Sequence, residues 1–386
     1  MQNPIYFDYN ATTPVDPTVL EAVLPYFSAN FENAASRHRS GGLLNKEVNA
    51  VRNQVLDFLH AKSGEIIFTS GATEAINLAL TGFAEQNKDK GKHIITVQTE
   101  HPAVLDTCKY LESQGFDITY LPVGKEGLIN PEELKSALRE DTLLVSVMLV
   151  NNETGVIQDL KALSVIAHEH GAYFMTDATQ GFAKIDIDVE EWGIDLLTFS
   201  GHKFYAPKGI GGLYIRNRRP FKVKLHALQH GGGHENGYRS GTLNVPGIMG
   251  ISKAIEAASK NMEEESIRIG KLRNQLEQSI LSAVEGSFVN GNIEHRIYNT
   301  SNICLKTIDA DALIAGLDNV MISNGSACSS TKIEPSHVLT AMGLTEKEAY
   351  ASIRLSIGRF TTEEDIERGS EIIIKEINKI RENMIA

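Results

Sequence analysis

The sequence predicts an α/β protein: a large domain on a mostly parallel seven-stranded sheet between helices, followed by a smaller α+β domain. Three observations carry this expectation. Between about residues 16 and 215, short apolar runs alternate with helical patterns, the signature of a parallel sheet covered on both faces. After about residue 245 the alternation gives way to long helical stretches and isolated strands. No repeat, low-complexity tract or long linker interrupts the 386 residues, a length that suits roughly two domains.

The elements follow in order. DPTVLEAVLPYF opens a helix with Asp16 as N-cap and Pro17 in its first turn. Seven strand-like runs come next: EIIFTS, HIITVQ, DITYLP, TLLVSVMLV, YFMTDA, IDLLTFS and GGLYIR. Helical stretches such as ATEAINLALTGFAEQ and LKALSVIAHEHG separate them. In the second region, two helical stretches fill roughly 246–284. Then come the strand NTSNICLK, the helix DADALIAGL, a polar loop, the strand SIRLSI and a last helix from Thr361, where Thr361 and Glu364 have capping-box spacing. The expected large domain spans 16–255, and 1–15 with 256–386 form the small one.

Bulk properties narrow the function. The formal net charge of −12 argues against nucleic acid or an anionic membrane as the main ligand. TLLVSVMLV is the longest apolar run, far short of the roughly 20 residues a membrane-spanning helix needs. The N-terminus has no basic stretch followed by an apolar run, so no signal peptide is expected. Cys108, Cys304 and Cys328 are odd in number and widely spaced, which fits neither a disulfide framework nor a CxxC metal site and suits a reducing cytoplasm.

Chemistry concentrates where strands end, because ligands of such sheets sit beyond the carboxyl ends. FSGHK puts Lys203 just past a buried run, where a partly desolvated amine forms Schiff bases; alone it would more often be a solvated surface lysine. TDATQ offers Asp177 as a partner for a pyridine nitrogen and Gln180 for a ring hydroxyl, although Asp177 also suits a helix N-cap. TSGATEA joins a strand end, a glycine and a helix start, a phosphate-binding pattern to which Thr73 adds a hydroxyl. His101 of TEHPAV can stack on a flat ring and carry protons. Arg354, odd in an apolar run, can clamp a carboxylate with two hydrogen bonds. Cys108 and Cys304 have the spacing of packing residues, whereas Cys328 lies in the polar stretch SNGSACSSTKIEPS, a nucleophile's setting and one expected to be poorly ordered. The run His226, His230, His234 is broken by Gly231–Gly233, so no metal site is expected.

Over essentially its whole length the chain resembles the cysteine desulfurases of the NifS/IscS type, within the class V aminotransferases of fold-type I, which use pyridoxal 5′-phosphate. The motifs that carry the resemblance run in order: YFDYNATTPVDP, TSGATEAIN, TEHPAVL, NNETG, TDATQ, SGHK, HGGGHE with RSGT, GSACSS and SIRLSIGR. The resemblance implies Lys203 as the Schiff-base lysine, Asp177 on the pyridine nitrogen, Gln180 on the ring oxygen and His101 stacked on the ring. It implies Ala72, Thr73, Ser200 and His202 around the phosphate, with Thr242 reaching the phosphate of the other subunit of a homodimer. Asn152 and Arg354 would bind L-cysteine, and Cys328 would take its sulfur as a persulfide for a protein acceptor such as an iron–sulfur scaffold. The interval from Cys328 to Arg354 resembles the long-loop subgroup. NAASRH at 33–38 departs from the family's Pro-Ser pair, and the chain ends soon after its last helix, without the longer tail that the housekeeping iron–sulfur type uses to dock its scaffold. A class V aminotransferase, a selenocysteine lyase and a non-catalytic sulfur-relay partner are the alternatives.

Overall fold

A computed structural model describes residues 4–325 and 334–385. Strands are numbered along the chain from the short β1 (Ile5–Tyr6). The central sheet holds seven: β2 (Gly64–Thr69), β3 (His93–Val97), β4 (Asp117–Leu121), β5 (Thr142–Ser146), β6 (Tyr173–Asp177), β7 (Leu196–Ser200) and β8 (Gly211–Arg216). Their order is β2-β8-β7-β6-β5-β3-β4. All point one way except β8, which is antiparallel to both β2 and β7. The reversal follows from chain length: residues 201–210 join β7 to β8, fewer than the dozen or so a parallel crossover requires.

Alternation along the strands feeds two cores. Ile66, Phe68, Phe174, Leu197 and Phe199 join one apolar cluster, whereas Ile67, Met175 and Leu196 join the other. That period of two is what a sheet with both faces covered demands. The sequence expectation of an α/β protein with a large, mostly parallel sheet is met.

A third core gathers Ile5 and Phe7 with Ile303, Leu305, Ile353, Leu355, Ile373 and Ile377. It packs on the antiparallel sheet β12-β10-β9, formed by β9 (Phe288–Val289), β10 (Thr300–Cys304) and β12 (Ser352–Ser356). β1 meanwhile pairs in parallel with β11 (Val320–Met321). Where the sequence suggested two helical stretches, one 39-residue helix runs from Val245 to Ala283. Its first part gives Ile248, Ile251 and Ile255 to the first core, and its last part gives Ile269, Leu272 and Ile280 to the third. The charged middle around Glu263–Glu265 stays helical because glutamate, methionine and lysine are good helix formers even without an apolar face.

Two local expectations meet different outcomes. Asp16 caps the first helix, accepting the Thr18 N–H at 2.9 Å with Pro17 in the first turn. The capping pair of the last helix (Glu363–Ile385) lies one residue later than expected. Thr362 Oγ1 accepts the Asp365 N–H at 3.1 Å, and Asp365 Oδ2 accepts the Thr362 N–H at 2.9 Å. Thr361 Oγ1 instead accepts the Gly358 N–H, and Glu364 faces solvent in a 3.2 Å pair with Arg368. Thr362→Ala is expected to lower stability by about 1 kcal/mol, and Glu364→Ala to leave it within about 0.5 kcal/mol of wild type. Thermal unfolding of the two variants checks this, and equal losses would contradict the cap.

Candidate active site

The carboxyl ends of β2, β3, β5, β6 and β7 open on one cavity of about 580 Å³. Ten of the residues singled out from the sequence line it: Ala72, Thr73, His101, Asn152, Asp177, Gln180, Ser200, His202, Lys203 and Arg354. Thr242 does not; it is exposed, three residues before the long helix begins at Val245. Cys328 lies outside the described residues. Cys108 and Cys304 are buried, as their spacing suggested.

Lys203 stands in a one-turn 3-10 helix that follows β7. The segment is held from below by stacked rings, Phe199 on Phe182 with centroids 4.2 Å apart, and Phe204 5.0 Å from Phe182. Lys203 Nζ donates to the carbonyls of Asn10 at 2.6 Å and Ala11 at 2.8 Å. Asn10, Ala11 and Thr12 also line the cavity, and sequence reading did not single them out. The motif YNATTP was the available signal, but nothing in its composition shows that its backbone returns to a lysine almost two hundred residues away.

At the end of β6, Asp177 is buried, with Oδ1 accepting the Thr179 N–H at 2.9 Å. Gln180 Nε2 donates to the Asn10 carbonyl at 2.9 Å, and behind it the buried Lys184 donates to Gln180 Oε1 at 3.2 Å. Burial, with Lys203 nearby, brings the Lys184 amine down to about 7. His101 caps the helix Pro102–Ser113 through Nδ1, which accepts the Ala103 N–H at 3.1 Å. That bond leaves Nε2 as the protonated nitrogen of the neutral ring. Partial burial, foremost, pulls the His101 pKa down. Burial followed by the charges of Lys203 and Lys208 takes His202 to about 4, so its imidazole is neutral at physiological pH.

The helix Ala72–Asn87 points its N-terminus into the cavity with no capping side chain on its first N–H groups. The turn before it nests against β8: a Cβ on Gly211 would fall 2.7 Å from Gly71 Cα and 2.5 Å from the Phe199 carbonyl. Only glycine allows that approach, which brings the helix N-terminus beside Ser200 and His202. On the opposite wall, Arg354 of β12 donates to Asp8 at 2.7 Å and to the Asn152 carbonyl at 3.1 Å. Its buried Nε has no partner among the described residues. A helix N-terminus, an amine, a buried carboxylate and a guanidinium on one cavity fit pyridoxal phosphate.

Around this wall lie buried groups the sequence did not reveal. Glu100 is fully buried; Oε1 accepts the Met148 N–H at 2.6 Å, and Oε2 has no partner among the described residues. Burial and then the neighbouring Asp177 push its carboxyl well above the ordinary carboxylate range. At the NAASRH departure, Asn33 accepts the Ala35 and Ser36 N–H groups, and His38 caps the helix Arg39–Phe58 through Nδ1. Among the described residues no helix is long and apolar enough to cross a membrane.

The aminotransferase class-V family model matches residues 5–368. The cysteine desulfurase IscS of Anaeromyxobacter dehalogenans is 46% identical over 383 residues, covering 99% of this chain and 94% of that protein. Among solved structures, a NifS-like protein superposes with a TM-score of 0.89 at 36% identity, covering 97% of this chain and 99% of that one. SspA, solved in complex with cysteine, superposes with a TM-score of 0.79 at 37% identity, covering 92% and 99%.

The raised pKa of Glu100 sets a pH dependence. The unfolded chain releases this proton at about pH 4.3 and the folded chain holds it to higher pH, so Glu100 costs stability as pH rises above that value. Glutamine can accept the same Met148 N–H and has no proton to release. Glu100→Gln is therefore expected to gain on wild type in urea midpoint between pH 5 and pH 8. A difference independent of pH would mean that the carboxyl is ionised in the folded protein.

Proposed function

The chain belongs to the aminotransferase class-V family, and from that premise we propose that it is a cysteine desulfurase, converting L-cysteine to L-alanine and taking the sulfur as a persulfide on Cys328. One observation carries the reading: the Lys203 amine, the buried Asp177 carboxylate, an uncapped helix N-terminus and the Arg354 guanidinium share one cavity. Similarity to cysteine desulfurases over nearly the whole chain supports it.

Pyridoxal phosphate, when bound, draws electrons from the substrate's Cα. Asp177 would hold a proton on its ring nitrogen, Gln180 would serve its ring oxygen, and His101 would stack on the ring. Ala72, Thr73, Ser200 and His202 would hold its phosphate. Thr242, exposed on the single chain, serves the phosphate of the second subunit in a homodimer. Lys203 would hold the cofactor through its carbonyl carbon, and its amine would take the proton from the substrate Cα. Asn152 and Arg354 receive the substrate carboxylate.

The Cys328 thiolate then attacks the substrate sulfur. A sulfur–sulfur bond forms as the Cβ–S bond breaks, and the electron pair left on carbon takes a proton to give alanine. The protein persulfide passes its sulfur to a protein acceptor, such as an iron–sulfur scaffold, in the cytoplasm.

Adding cysteine to the cofactor-loaded protein and quantifying alanine and protein-bound persulfide tests the proposal. The two products should appear in equal amounts, and a keto acid in place of alanine would turn the reading to an aminotransferase. Cys328→Ser is expected to keep the visible cofactor band and its response to cysteine while losing most alanine formation. Wild-type turnover in that variant would remove Cys328 from the mechanism. Arg354→Ala is expected to raise KM for cysteine roughly tenfold or more, the scale of a lost charge-assisted bond. Unchanged cysteine kinetics would take Arg354 out of the substrate site.

A further inference from the structure

We infer that Glu153 is a positioning residue for sulfur transfer, bonding one flank of the segment that carries Cys328 and packing closely against the other, beside the substrate wall. The inference rests on the desulfurase reading above. Glu153 is buried, 2% exposed, and the mechanism so far gives it no role. Ser336 Oγ donates to Glu153 Oε2 at 2.5 Å. A Cβ on Gly325 would lie 2.7 Å from the same Oε2, so the chain at 325 passes close against that oxygen, while its N–H donates to Ser323 Oγ at 3.0 Å. Gly325 has φ +86°, a conformation that favours glycine and sets the close approach.

Each flank is also tied to site residues. On the first side, Ser323 and Arg354 exchange backbone hydrogen bonds of 3.3 and 2.6 Å. On the second side, Ser336 caps the helix His337–Ala341, and the His337 ring pairs with the Glu100 carbonyl at 2.9 Å, next to His101. Glu153 itself follows Asn152, whose carbonyl holds Arg354, and its own carbonyl accepts from Asn302 of β10. One buried side chain thus bonds the point where the cysteine's segment returns and packs against the point where it departs, next to Asn152 and Arg354. Loss of this anchor affects the step that needs Cys328 and spares cofactor binding and the substrate carboxylate.

The test uses the full-length, cofactor-loaded protein. In Glu153→Ala the rate of alanine and persulfide formation at saturating cysteine should fall roughly tenfold or more, the scale of a buried hydrogen bond to a carboxylate. The cofactor band and KM for cysteine should stay at wild-type values. Glu153→Gln, which keeps the acceptor for Ser336, should restore the rate. Ser336→Ala should lower the rate by itself and add little on top of Glu153→Ala. In the cofactor-free chain, the amides of residues 337–341 should exchange faster in the alanine variant and not in the glutamine variant. A wild-type rate in Glu153→Ala, a parallel loss of the cofactor band, failure of glutamine to rescue, or additive effects of the two alanine substitutions would each overturn the inference. Should Glu153→Ala not fold, Ser336→Ala alone carries the test, with the same rate loss expected and a wild-type rate overturning it. A wild-type protein that makes no persulfide would instead overturn the desulfurase reading.

Discussion

The site depends first on the carbonyl of Asn10. It accepts from Lys203 Nζ and from Gln180 Nε2, so the start of the chain fixes the two side chains that flank the reacting space. The arm that brings it there is itself tied to every neighbouring layer. Asn10 N–H donates to Ser356 of β12, its side chain donates to Thr300 of β10, and the N–H groups of Thr13 and Asp16 bond to carbonyls at His202 and Tyr205. The same arm begins in the third core, through Ile5 and Phe7, and ends at the lysine of the first. A shift of the small sheet against the large one would therefore be felt at Lys203 and Gln180 through this carbonyl.

That geometry controls charge. Desolvation favours the neutral forms along the inner wall: His202 falls to about 4 and Lys184 to about 7. The carboxyl of Glu100 moves the opposite way, chiefly through burial. Burial thus pushes each of these three groups toward its uncharged form. Lys203, Asp177, Arg354 and the helix at Ala72 are among the polar groups that line the cavity. A low-dielectric surround strengthens each of these toward an anionic, planar ligand.

Much of this was legible in the sequence, and the remainder has definite physical causes. The seven strands could be read because a fully buried strand must be a short apolar run, and the pocket residues because such sheets bind ligands where strands end. The reversal of β8 was readable too, from the short span after Lys203, but alternation alone suggests a parallel strand. The 39-residue helix looked like two because its two apolar faces serve different cores and its charged middle serves neither. The cap at Thr362 was displaced by one residue because two adjacent threonines each have an acidic residue three positions on. Asn10, Glu100 and Glu153 stayed hidden for a common reason. A buried polar group is recognisable by its partners, and those partners are distant in sequence.

Arg354 shows how the fold refines a sequence expectation. A guanidinium on a buried strand suggested a fork open to a carboxylate, yet its terminal nitrogens already donate to Asp8 and to the Asn152 carbonyl. What remains is Nε, buried and unsatisfied, an arrangement that costs free energy until an acceptor arrives. Asp8 orients the guanidinium from one side and the Asn152 carbonyl from another. The anchoring of Arg354 by Asp8 therefore fixes the guanidinium in the cavity wall before any ligand arrives.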